Sequence, residues 1–232
     1  MPSLLSRKSL RYGVPTIVVL GVAIVWLLMS IPPVVGLGNR VKLPLFHGGA
    51  TWVNLMLFTL MGLAAVAYLV TRSDRVYAWE AGFRYVASPM WLMSAVLGFI
   101  AAASTWDFSG SKESMLTIIP RDPRLSAQAV LLAGVAIVLL ADWLVLEQRW
   151  HKAVADIAFV VLMWAAMANI FLDPVKQAMH PDSPVLNSGW EIKGPFFAMV
   201  VAIFAIVIVM SWIASTLIPE PARAVSSVTK SQ

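Results

Sequence analysis

The chain has 232 residues, 59% of them hydrophobic and only 12% charged, with a mean hydropathy of +0.80. Soluble domains carry about 25% charged and about 45–50% apolar residues, so this composition excludes a water-soluble domain and marks an integral membrane protein. The formal charge of +5 comes from Lys and Arg spread through short loops, where they set topology and meet anionic lipid head groups; no basic run interleaved with aromatics supports nucleic-acid binding.

Six stretches are long and apolar enough to span a bilayer, at about 14–35, 48–70, 85–103, 127–146, 153–172 and 195–217. The first follows Arg7, Lys8 and Arg11 and superficially resembles a signal peptide. It is longer than a typical apolar signal segment and no small-x-small cleavage site follows, so it reads as a retained span. The third carries Pro89 in its first turns, where the early amides of a helix lack intrahelical partners anyway. There is no repeat, low-complexity tract or soluble domain, and residues 1–232 read as one all-α, six-transmembrane-helix bundle.

The N-terminal tail (Arg7, Lys8, Arg11), the even loops (Arg72, Arg75, Arg84, Arg149, Lys152) and the C-terminal tail (Arg223, Lys230) hold ten of the 17 basic residues. The odd loops hold the other seven: Arg40, Lys42, Lys112, Arg121, Arg124, Lys176 and Lys193. The positive-inside rule therefore predicts both termini in the cytoplasm of an inner or plasma membrane. His47 ends the first loop, Trp106-Asp107 open the third and His180 lies in the fifth. Alternation alone puts all three on one face, the periplasmic or extracellular one under that orientation, whereas His151 is on the other.

The chain has no cysteine, which excludes disulfides, thiolate chemistry, iron–sulfur ligation and covalent c-type haem attachment. Two neutral imidazoles on one membrane face point to a metal-centred ligand, and haem b held non-covalently by His47 and His180 is the leading candidate. Met179 is an alternative axial ligand. His151, between Trp150 and Lys152, reads as interfacial. Gly48 and Gly49 keep one side of His47 open. Trp106 offers an aromatic platform, although an interfacial Trp followed by a capping Asp is the plainer reading of the pair. The segment from Phe108 to Leu116 is amphipathic, and Lys112, Arg121 and Arg124 can meet carboxylates or lipid phosphates. Asp142 reads as interfacial and Asp156 as a partner of Lys152 at i, i−4, with neither joined to other buried polar groups. Asn54 and Asn169 are the candidates for hydrogen bonds between helices.

On these residues the chain resembles the CcmC family, haem-handling membrane proteins of cytochrome c maturation. Phe46-His47-Gly48-Gly49-Ala50-Thr51-Trp52-Val53 is similar to that family's F-H-x-x-x-x-W-V. Ala178-Met179-His180-Pro181 and the loop after it resemble its T-L-H-Q segment. Trp106-Asp107 sits where the signature W-G-x-W-W-x-W-D ends, but Ile100-Ala101-Ala102-Ala103-Ser104-Thr105 replaces the rest. The resemblance implies haem b on the outer face between His47 and His180, with Trp52, Trp106 and Asp107 alongside. It also implies ABC-type haem transporter subunits and a haem chaperone as partners. The missing tryptophans belong to the segment associated with presenting haem to that chaperone.

Two readings are expected from this pattern: delivery of haem during cytochrome c biogenesis, or a fixed haem b in a membrane electron-transfer complex. A haem-free scaffold is the third. No nucleophile–base pair stands in the outer loops and no G-x-x-x-x-G-K-[ST] motif is present, so conventional group transfer and ATP hydrolysis are not expected of this chain.

Overall fold

The computed structural model describes residues 4–110, 112–178, 185 and 188–218. Among these residues there is no strand, and the chain folds into helices α1 (Leu4–Ser30), α2 (Lys42–Thr71), α3 (Asp74–Thr105), α4 (Met115–Ile118), α5 (Pro123–Leu144), α6 (Arg149–Phe171), α7 (Pro174–Ala178) and α8 (Trp190–Leu217). The six longest of these are long and apolar enough to cross a membrane. The expected six-helix bundle is therefore observed.

Helix boundaries depart from the hydropathy reading where polar residues are paired within the bundle. The second helix begins at Lys42 rather than at the expected 48, so His47 lies within the first turns of α2 and not in the preceding loop. The third begins at Asp74 rather than at 85, which draws Glu80 and Arg84 into a helix and leaves Pro89 near its middle. The first ends at Ser30, ahead of Pro32 and Pro33, because proline disfavours helical backbone in the residue before it.

Alternating the six long helices puts the start of α2 and α5 and the end of α3 and α6 at one end of the bundle. The core between them is built on Phe58, Trp91, Phe159 and Met163. Phe58 meets Trp91 and Phe159 edge-on at centroid distances of 5.9 and 4.9 Å. Between α3 and α8 the backbones touch, since a Cβ on Gly82 would lie 2.6 Å from the Ser211 carbonyl oxygen. Small residues at such crossings are the usual way that apolar helices pack in lipid. Asn54 bridges α2 and α3, donating to the Ala87 carbonyl at 3.2 Å. Asn169 of α6 accepts from Lys176 of the short α7 at 2.7 Å.

The opposite end holds a buried charge cluster that corrects the reading of both intramembrane acids. Arg84, 1% exposed, donates from Nε to both Asp156 oxygens at 3.1 and 2.9 Å. Its terminal nitrogens lie 2.8 Å from Asp156 Oδ2, 3.1 Å from Asp142 Oδ1 and against Glu80. Lys152 pairs with Asp142 at 2.6 Å, not with Asp156, and Tyr85 donates to Asp142 at 3.0 Å. Arg84, assigned to a loop by its charge, thus joins α3, α5 and α6, and its fork of donors is what makes three carboxyl groups fit around one cation. Removing one member of a buried ion pair strands the others and costs about 3–5 kcal/mol, whereas exposed pairs are worth about 0–1. Arg84→Leu is therefore expected to lower the thermal unfolding midpoint in detergent steeply. Arg121→Ala, which breaks the exposed 2.7 Å pair with Glu113, should leave it nearly unchanged.

Candidate functional site

At the end where α2 and α5 begin, α2, α3, α5 and α6 diverge around a cavity of about 660 Å³, within the range of roughly 300–1,000 Å³ that suits an organic ligand. Its α2 wall is Pro44, His47, Gly48, Thr51, Trp52 and Leu55, spaced as one helical face. From α3 come Trp91, Gly98, Ala101, Ala102 and Thr105, and Trp106-Asp107 continue the wall past the helix end. Arg124, Leu125 and Gln128 of α5 and Met167, Ile170 and Phe171 of α6 complete it. Four of the five residues expected at a haem site, His47, Trp52, Trp106 and Asp107, therefore share one cavity. The fifth, His180, lies outside the described residues, as does Met179.

The imidazole of His47 is held by a polar chain. Thr51, one turn further along α2, donates to the His47 carbonyl at 2.9 Å and lies 2.6 Å from Ser94 Oγ. Gln128 Nε2 donates to Ser94 Oγ at 3.1 Å, and Ser94 Oγ is a long 3.5 Å from His47 Nδ1. Ser94 Oγ is thus the shared partner of Thr51, Gln128 and the His47 ring. The other edge of the ring packs on Gly98, where a Cβ would lie 2.7 Å from His47 Cε1 and 3.0 Å from Nε2.

Of the two glycines after His47, only Gly48 is open, with nothing within 4 Å of an added Cβ. Gly49 is a packing glycine, 3.1 Å from Val200 of α8 by the same construction. Trp52 stacks on Phe171 at 5.6 Å with 10° between the rings, joining α2 to α6 as a flat wall. Trp106 closes the last turn of α3, its N–H donating to Ala102 at 3.0 Å. Asp107 accepts from the Ser109 N–H at 2.9 Å, in the turn that follows α3 rather than at the cap of a helix.

Of the three cations considered for a carboxylate ligand, Arg121 is engaged by Glu113, and only Arg124 reaches the cavity. Its Nε is buried and has no acceptor among the described residues. Asp122 fixes its position by capping α5, accepting from Arg124 N at 2.9 Å and Leu125 N at 3.0 Å, ahead of Pro123 at the first helical position. Asp-Pro before an apolar run is a sequence signal for that helix start. The contributions of Thr51, Ser94, Gly98 and Gln128 had no such signal, because small and amide side chains inside a span look like ordinary helix packing. Among the described residues no three His, Asp or Glu come together to hold a free metal ion.

No model of a known protein family matches the chain, and no curated protein is significantly similar to it. The site must be judged on its own chemistry.

Hydrogen bonds from the Ser109 side chain and backbone hold the Asp107 carboxyl below the usual carboxylate range. A depressed carboxylate contributes above its unfolded pKa, about 3.9, and loses that contribution as pH falls through the folded value. Ser109→Pro, which removes both donors, is expected to bring the Asp107 titration back toward the ordinary value, read by carbon-detected NMR of labelled protein.

Proposed function

We propose that this chain is a membrane protein that binds haem b non-covalently through His47 and His180 and hands it on during cytochrome c biogenesis. The observation that carries the reading is the cavity, which gathers His47, Trp52, Trp106 and Asp107 from helices far apart in sequence. Its donor set fits the group. His47 lines the cavity with an imidazole, Trp52 and Phe171 form a flat aromatic wall, and Arg124 supplies a cation. Haem, when bound, supplies an iron with two axial positions and a pair of propionate carboxylates.

The chain's own residues then have separate tasks. His47 would hold the iron, its ring positioned by contacts with Ser94 and Gly98. Trp52 and Trp106 bound the ring plane, and Arg124 receives a propionate as a charge-assisted hydrogen bond. His180 would be the second residue to hold the iron. The positive-inside count supports cytoplasmic termini and a site facing the periplasm or cell exterior. With no nucleotide motif in this chain, energy for haem movement would come from ABC-type transporter subunits, and a haem chaperone is the expected acceptor.

One observation favours a fixed haem in an electron-transfer complex instead. Ile100, Ala103 and Ser104 stand where the CcmC signature carries tryptophans, so the aromatic surface of that signature is missing here. Absorption spectra of purified protein, oxidised and reduced, test the haem site. A b-type spectrum is expected, lost in the His47→Ala, His180→Ala double variant; no haem after reconstitution overturns both readings. Loss of c-type cytochromes in cells carrying that variant separates delivery from a fixed haem. Gly98→Ala should push the imidazole aside and weaken haem binding about tenfold, roughly 1.4 kcal/mol, with little change in unfolding midpoint.

A further inference from the structure

The charge cluster at the other end of the bundle is not used by the haem site, and its charges do not balance. Arg84 and Lys152 are its two cations; Glu80, Asp142 and Asp156 are its three carboxyls. Asp142 is matched by Lys152 and further held by Arg84 and the Tyr85 hydroxyl. That leaves the Arg84 guanidinium to serve Asp156 and Glu80 together. Asp156 takes the larger share, with contacts from Nε to both oxygens and from a terminal nitrogen at 2.8 Å. Glu80 touches Arg84 through one oxygen only. Its other oxygen, Oε2, is buried with no donor among the described residues, in a side chain that is 0% exposed. Glu80 and Asp156 both contact the same Arg84 nitrogen, Nη2. Two carboxylates that share one guanidinium nitrogen repel each other, and one proton between them removes the surplus charge.

We propose that Glu80 and Asp156 form a proton-binding site inside the membrane, holding one exchangeable proton at neutral pH on the Glu80 carboxyl. The groups that face it are Tyr77, Arg84 and Tyr85 of α3, Asp142 of α5, and Lys152 and Asp156 of α6. Arg149, 4.4 Å over the Tyr77 ring and paired with Asp74, closes the cluster toward the helix ends. Lys152, whose side chain is 18% exposed, and Asp142 connect the site to the surface at that end. Release of the proton leaves three anions on two cations, so it favours uptake of a compensating charge or loosening of the α3–α5–α6 contacts. These three helices also form walls of the cavity at their other ends.

Infrared spectroscopy of the purified protein, in water and in deuterium oxide, tests the site directly. A protonated-carboxyl C=O stretch equivalent to one group per chain is expected at neutral pH, shifting on deuteration and fading at alkaline pH. Glu80→Gln should abolish it, and Glu80→Asp should move it. Absence of the band from the intact protein overturns the proposal, as does a band that persists unchanged in Glu80→Gln. The measurement needs no haem, so its outcome is independent of the haem reading.

Discussion

The Arg84 guanidinium lies buried in α3, with carboxyls from its own helix, from α5 and from α6 around it. In an apolar surrounding each of those charges would be prohibitively expensive alone, and a planar five-donor cation is the one side chain able to serve several carboxyls at fixed angles. Van der Waals packing between apolar helices is weakly directional, because lipid competes for the same contacts. The ion cluster is directional. It specifies how α3, α5 and α6 sit against one another, and Gly82 against Ser211 adds a close approach of α3 to α8.

With that end of the bundle pinned, the other end can open. The cavity exists because α2, α3, α5 and α6 part there, and because Gly48, Gly98, Ala101 and Ala102 place little side chain in the space between them. Three of its polar residues, Gln128, Thr51 and His47, meet in one chain through Ser94. Such a site needs rigid support, since a ring nitrogen offered to a ligand is useful only in the right orientation.

The bundle was legible because hydropathy needs only local composition: twenty or so apolar residues cannot do much else than span or be buried. The shared side of His47 and Trp106-Asp107 was also legible, since alternation follows from counting helices. What misled was charge. Arg84 and Glu80 read as a polar loop, and Asp142 and Asp156 as isolated acids, because nothing in a linear pattern reveals that residues 84, 142 and 156 meet. The same limit hid Ser94 and Gln128, whose role depends on the ring they reach across α3 and α5.

By itself, the sequence determined the membrane class, the number of long helices and the lack of thiol chemistry. Only the tertiary structure decided that His47 belongs inside α2, that Gly49 packs while Gly48 stays open, and that Arg124 is the cation at the cavity. Only it showed that three distant acids share one arginine. The physical reason is range: hydrophobic burial acts on each segment separately, whereas hydrogen bonds and buried charge pairs act over a few ångströms and depend on which helices have become neighbours.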